Sequence, residues 1–496
     1  MARSLMSRTT DWRRDYESKL MSADEAAKLV KSGDLVAVPQ AGPIAVQAAL
    51  ARRREELSDI TIRLTTPPSN PGWFDEGWER TFKMEFELFV GPNARHATDA
   101  LRASYVPILF STQFKHVDER PMDYAQYDVA LINLSLPNSA GFCNMGVHMW
   151  NKRSYIRRST TVIAEVLPDL QIAHGNTWVH VSEIDAFVQG PSIRSRDVVS
   201  QLVDLVEPDK QPTVETLLRT IDPILLMGAR AVFQDRLASM TLDELKTALA
   251  ALQPPAEAKP IADYVAELVR DGDCLQIGTG DPARWIVTLG ALDGKNDLGY
   301  QSEMAAAGIG RLVAKGVING SRKQVFKNKA IAAAWSGCDA EELAIIDNNP
   351  LFQLEDPAEL LRIPMVSSND NMVSINNAIS VDLTGQINAE TIFGSRIYNG
   401  TGGQPDNHIG AFLSKGGRAI TLLPSTAVGG AVSRIVTQLD TGSAVTIPRY
   451  FADIIVSEYG VARLLGKSFK DRARELIAIA HPDFRADLRK EASRLF

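Results

Sequence analysis

The sequence predicts an α/β protein of two related open domains joined by a helical linker or insertion, and three observations predict it. Short, mostly apolar runs of strand length recur at Leu35–Val38, 128–134, 161–167, Cys274–Ile277, 419–423 and 453–456, as expected of parallel strands buried on both faces. Residues 27–36 align without a gap on residues 266–275, and continuing the alignment sets Pro43 on Pro282. Between the two copies lies a stretch of a different kind, bounded by prolines and carrying helical apolar spacing.

Along the chain, Ser22-Ala23-Asp24-Glu25 opens a helix, with Ser22 as cap and Glu25 three residues on. The helix stops at Gly33-Asp34, and Leu35–Val38 follows as a strand. The second copy repeats helix, Gly-Asp turn, buried strand and small-residue loop through Gly272-Asp273 and Cys274–Ile277. Two matching α/β openings point to duplication. Glu207-Pro208-Asp209-Lys210-Gln211-Pro212 and Gln253-Pro254-Pro255 are polar breaks. Leu217, Ile221, Ile224, Leu225, Leu237, Leu242, Leu245 and Leu249 between them fall at helical intervals. The expected division is an N-terminal α/β domain over 1–206, a helical linker or insertion over 207–256, and a C-terminal α/β domain over 257–496.

Composition removes several classes of function. A net charge of −7 leaves no general basic field for nucleic acid, and Arg52-Arg53-Arg54 and Arg322-Lys323 read as solvated helix faces. The three cysteines, Cys143, Cys274 and Cys338, are scattered without CxxC pairing, against a disulfide scaffold or structural zinc. His174 and His180 are not at a usual ligand spacing, so no metal site is expected. No apolar run approaches the ~20 residues of a membrane helix. Arg3, Arg8, Arg13 and Arg14 lack the apolar stretch of a secretory signal, and Asp11, Asp15 and Glu17 weaken a mitochondrial presequence. Cytoplasm is the expected compartment, with the mitochondrial matrix as the alternative.

Four segments carry candidate chemistry. Gly278-Thr279-Gly280-Asp281-Pro282 follows a buried strand, where glycines admit a ligand to the backbone and a following helix start would offer N–H groups to an anion. With Ala283 the loop also meets a loose GxGxxA dinucleotide pattern, but Asp297, about 20 residues on, sits in a turn rather than at a strand end. Glu303, in Gln301-Ser302-Glu303-Met304, lies among small and apolar residues, where an unpaired carboxylate is expensive; spacing alone favours a helix cap. Gly400-Thr401-Gly402-Gly403 can bend into a nest of N–H donors. Ser414-Lys415-Gly416-Gly417-Arg418 is basic and precedes a strand, suiting either phosphates or a turn. Trp73, Trp78 and Trp150 read as core, Lys152-Arg153 as solvated, and Glu458 as structural.

Several blocks, in order, carry a resemblance. Ser457-Glu458-Tyr459-Gly460-Val461-Ala462-Arg463 with Ala480-His481-Pro482-Asp483-Phe484, the block around Asn376-Asn377, and Gly402-Gly403-Gln404 with Asp406 and Ser414-Lys415-Gly416-Gly417 resemble the acetyl-CoA hydrolase/transferase family. That family includes 4-hydroxybutyrate, butyrate and succinate CoA-transferases. The resemblance implies that Glu303 is the nucleophile of a ping-pong CoA transfer through a glutamyl-CoA thioester. It places Gly278, Thr279, Gly280, Asp281, Pro282, Gly402, Gly403 and Lys415 around the CoA substrate. It implies a homo-oligomer, no tightly bound cofactor, and an acyl-CoA and a small carboxylic acid as partners. The family's GxGxxP loop is one residue shorter here, and its Gln-Val-Asp-Phe run reads Gln404-Pro405-Asp406-Asn407. The alternatives are an acyl-CoA hydrolase using the same glutamate and, more remotely, a non-enzymatic CoA-binding protein.

Overall fold

The computed structural model describes residues 11–40, 42–65, 70–90, 92–193, 195–219, 226, 237, 239–250 and 252–496. The chain divides into two compact units. The first takes in the described residues up to Ile108 with Thr112–Gln253 and Asp339–Ala358; the second takes in Leu109–Ser111, Pro254–Cys338 and Glu359–Phe496.

The first unit is built on an 8-stranded sheet. Its strands are β1 (Leu20–Met21), β2 (Leu35–Val38), β3 (Ile60–Leu64), β4 (Phe82–Glu87), β5 (Ala103–Val106), β6 (Tyr127–Ser135), β7 (Ser159–Leu167) and β8 (Ala186–Gln189). They lie in the order β1-β8-β7-β6-β2-β3-β4-β5, every neighbouring pair parallel. Burial along β2 is complete, which is why the strand is apolar on both faces.

The second unit's sheet uses β9 (Cys274–Ile277), β10 (Gly299–Met304), β11 (Ala330–Ala334), β12 (Met372–Asn377), β13 (Arg418–Leu422), β14 (Ile454–Ser457) and β15 (Gly460–Arg463). Their order is β15-β14-β13-β12-β9-β10-β11; only the β14–β15 pair is antiparallel. From β14 to β11 the strand order repeats that from β8 to β4 in the first unit, with β9 in the place of β2 and β10 in the place of β3; the edge strands differ, since β1 opens its unit and pairs parallel while β15 closes its own and pairs antiparallel. The internal echo extends to single hydrogen bonds. Gly33 and Gly272 both turn with positive φ, 89° and 83°. Lys31 N–H and Arg270 N–H each donate to the aspartate three residues on, Asp34 and Asp273, at 2.7 Å.

Ser22 and Glu25 form the expected capping box on the helix Ala23–Ala27. The helix is shorter than expected, because Lys28, Leu29 and Val30 continue with tighter bonds to Glu25, Ala26 and Ala27. The described part of the 207–256 segment holds helices Gln211–Arg219 and Leu242–Ala250. Val214, Leu218, Leu226, Leu237 and Leu245 share a core with Leu167, Leu170 and Leu202. Ile221, Ile224 and Leu225 lie outside the described residues, as do Arg3 and Arg8. Among the described residues, no helix is long and apolar enough to cross a membrane, and no His, Cys, Asp and Glu cluster could hold a metal.

Two readings of basic residues are corrected. Lys152 and Arg153 are 1% and 6% exposed rather than solvated. They open the helix Lys152–Arg158 just after Trp150 and Asn151, both at positive φ, and this turn directs them inward. Lys152 Nζ donates to the Met145 carbonyl at 2.8 Å. Lys323 is also buried, its Nζ donating to the carbonyls of Tyr300 and Lys329 at 2.9 and 3.1 Å. Trp73 and Trp150 are core residues, as the sequence suggests.

Candidate active site

Glu303 is the penultimate residue of β10 and does not begin a helix. Residues beyond it are pinned: the Tyr300 hydroxyl donates to the Met304 carbonyl (2.9 Å) and accepts from Ala306 N–H (3.2 Å). Ala305 N–H donates to the Ala334 carbonyl at 2.9 Å. A strand end held this way leaves the Glu303 side chain few choices. It is 9% exposed.

Its partner comes from the double glycine. Gly402 turns with φ 54°, and Gly403, at φ −84°, is the N-cap of the helix α1 (Gln404–Leu413). This left-then-right alternation forms a nest for an anionic oxygen. Gly403 N–H donates to Glu303 Oε2 at 2.6 Å, so the nest is filled by the protein's own carboxylate, at the positive end of a helix. A Cβ on Gly403 would lie 2.3 Å from that oxygen; only glycine allows the approach. Burial pushes the Glu303 carboxyl up to about 8, the Gly403 bond works against this, and the nearby Asp406 carboxylate adds to it.

The first turn of α1 supports the nest. Pro405 stands where a helix has no internal use for an N–H, so it breaks no helix bond. Asp406 accepts from Ser111 N–H (3.0 Å) and Ser111 Oγ (2.6 Å). Burial nevertheless pushes its carboxyl up to about 6. Asn407 donates to the Gly403 carbonyl twice, through its backbone N–H at 3.0 Å and its side-chain Nδ2 at 2.9 Å.

The glycine loop after β9 rests on a buried amide network. Gln276, Ser374 and Asn376 hydrogen bond to one another at 2.7–3.1 Å. A Cβ at Gly278 would meet Asn376 Oδ1, and one at Gly280 would meet Asn377 Nδ2, each at 2.8 Å. Thr279 Oγ1 is 3.9 Å from the sulfur of Met304, the residue after Glu303. The loop ends in a cis Asp281–Pro282 peptide. Beyond it the chain makes a 3₁₀ turn, Ala283–Trp285, and not the expected α-helix start. Ala283 N–H is already taken by Asn377 Oδ1 at 2.9 Å, so the turn offers no helix dipole. The N–H groups of Thr279, Gly280 and Asp281 have no acceptor among the described residues.

Other candidates stand apart. Lys415 lies past the far end of α1, 88% exposed and 3.8 Å from Asp370; a helix of ten residues, about 15 Å long, separates it from Gly403. Glu458 accepts from the Ser425 backbone N–H at 2.8 Å and from its hydroxyl, a closed structural pairing. Asp297, at φ 56°, binds Asn319 and Arg322, which leaves the dinucleotide pattern without its acidic partner. In the sequence Asn407 stands out only as the residue in place of the family's phenylalanine, and no local signal marks Ser111, which meets Asp406 only through the fold.

Comparison with known proteins gives the family of the chain. The N-terminal domain model of the acetyl-CoA hydrolase/transferase family matches residues 4–207, and the C-terminal domain model matches residues 340–492. The chain belongs to the acetyl-CoA hydrolase/transferase family. A 4-hydroxybutyrate coenzyme A transferase of Clostridium kluyveri is 32% identical, over 98% of this chain and 100% of its own length. A succinyl-CoA:cyclohexane-1-carboxylate CoA transferase of Geobacter metallireducens is 32% identical over 98% of this chain and 97% of its own. Among solved structures, RipA from Yersinia pestis superposes with a TM-score of 0.78, at 26% identity, covering 98% of this chain and 99% of that one. The family's two-part α/β architecture is therefore the architecture found here.

Proposed function

We propose that this member of the family moves CoA between an acyl-CoA and a small carboxylic acid, with Glu303 as the covalent nucleophile. The observation that carries the reading is the bond from Gly403 N–H to Glu303 Oε2. One carboxylate oxygen is held in the nest, and the other is left to attack.

Attack of Glu303 Oε1 on the thioester carbonyl breaks the C–S bond, giving a mixed anhydride and CoA thiolate. The thiolate then attacks the Glu303 carbonyl carbon and expels the first carboxylate, leaving a glutamyl-CoA thioester. An incoming acid reverses these steps and departs as its CoA ester. During thiolate attack, negative charge develops on Oε2, which already lies on the Gly403 N–H. One donor aimed in this way contributes about 3–4 kcal/mol to the transition state. The unused N–H groups of Thr279 and Gly280 are the second set of donors, suited to the oxyanion on the acyl carbonyl. Glu303 must be ionised to attack, so its raised pKa sets an acid limb near pH 8 for the free enzyme.

The decisive experiment supplies acyl-CoA without an acceptor acid and maps the adduct. A CoA adduct should form on Glu303; Glu303→Gln should keep its fold and lose transfer by orders of magnitude, while Glu458→Gln stays active. An adduct on Glu458, or near-normal transfer by Glu303→Gln, removes the assignment. Release of free CoA in equal amount whatever acid is supplied would make the protein a hydrolase acting through the same glutamate.

A further inference from the structure

We infer that Asn407 is a positioning residue for Glu303, its side-chain amide locking Gly403 so that this glycine's N–H stays on the carboxylate. The inference rests on the functional reading of Glu303 given above.

A Gly-Gly pair has the freest backbone a chain can have, and its N–H groups are not aimed by local sterics. Gly403 is nonetheless the residue that must present its N–H to Glu303. It has no side chain to fix its own orientation, and the N-cap position carries no side-chain cap bond. The remaining handle is its carbonyl. A helix would supply one donor to that oxygen, the N–H of Asn407 four residues on. Here the same residue supplies a second, Nδ2 at 2.9 Å. The two groups that Gly403 connects are close to it: a Cβ built on Gly403 would lie 2.3 Å from Glu303 Oε2 and 3.1 Å from Asn407 Nδ2.

The other end of the amide shows that packing does not explain the residue. Asn407 is fully buried, and its Oδ1 has no partner among the described residues. An apolar side chain of the same size would spare the protein that orphan acceptor. What such a side chain lacks is the donor to Gly403. Loss of this donor would not leave the Gly403 carbonyl unbonded, since the Asn407 backbone N–H remains. Stability and positioning are therefore separable at this site.

Burial and the Gly403 bond act on Glu303 in opposite senses, and the other titratable group facing it is Asp406, on the same helix turn as Asn407. Asp406 is held by Ser111, so a change in the titration of Glu303 on substituting Asn407 reports the Gly403 bond.

The test is Asn407→Leu in the full chain, with Asn407→Ala as a second variant should the larger side chain not fold. The Glu303 carboxyl is titrated by infrared difference against Glu303→Gln, and transfer kinetics are measured in parallel. We expect the titration to move up by about half a pH unit or more and kcat to fall roughly 10-fold or more. KM should stay within about 2-fold and the thermal transition close to that of the parent protein. An unmoved Glu303 titration, or a kcat within about 2-fold of the parent, overturns the inference, as does a loss of activity that only tracks lost folded protein. Should the parent protein transfer no CoA, the functional reading fails alone; the titration shift still decides whether Asn407 holds the Gly403 N–H.

Discussion

Consider Glu303→Gln as a change in stability and not in rate. The side chain is 9% exposed, with one backbone donor on Oε2, and its carboxyl is pushed from an ordinary 4.5 to about 8 by burial. Below pH 4.5 both the folded and the unfolded chain hold the proton. Between 4.5 and 8 the unfolded chain releases it while the folded chain retains it, so the folded state loses about 1.4 kcal/mol per pH unit. Glutamine does not titrate, keeps the length of the side chain and can still accept from Gly403. The variant should therefore gain on the parent by about 3 kcal/mol between pH 5 and pH 7, and the gap should level off above pH 8. Asp406, raised to about 6, titrates in both proteins and cancels to first order. For a unit of this size 1 kcal/mol moves a melting temperature by about 2–4 °C, so the gap should widen by roughly 6–12 °C over those two pH units. Scanning calorimetry of both proteins at pH 5, 6, 7 and 8 reads it directly. A gap that stays constant with pH, or a parent that is the more stable at pH 8, would refute a buried, high-pKa Glu303.

Gly403→Ala places a Cβ 2.3 Å from Glu303 Oε2 in an ordinary backbone conformation; transfer should fall about 10²–10³-fold as the nest donor is displaced, and steady-state kinetics showing less than a 2-fold loss would speak against that donor. Lys152→Met should stabilise the first unit by a few kcal/mol below pH 7, because burial holds the Lys152 amine down to about 7 with a single carbonyl as acceptor. A lysine whose folded pKa lies below its ordinary 10.5 becomes less costly to the folded state as pH rises from 7, so denaturant titrations should show this gain shrinking towards pH 10.

The division of labour between sequence and fold is visible at particular residues. The apolar runs at Leu35–Val38 and Cys274–Ile277 betray themselves because a strand buried on both faces has no polar side to show. The duplicated Gly-Asp turns are equally legible, since a positive φ calls for glycine and an aspartate three residues past an N–H caps it. The family blocks single out Glu303 among 60 acidic residues. Spacing could not do so, and by itself suggested a helix cap. The capping idea held a physical truth the chain could not localise: Glu303 does meet a helix N-terminus, but one that begins 100 residues later. The burial of Lys152, Arg153 and Lys323 was illegible for the same reason, as their acceptors are backbone carbonyls brought up by folding. Strands, repeat and glycines are legible along the chain because each depends on a residue's own conformational and chemical preferences, and the family resemblance adds Glu303 as the candidate nucleophile. That the Gly402–Gly403 nest closes on Glu303, that Asn407 clamps it and that Lys415 stands a helix-length away comes from the fold, because hydrogen bonds between distant segments depend on where the backbone is carried.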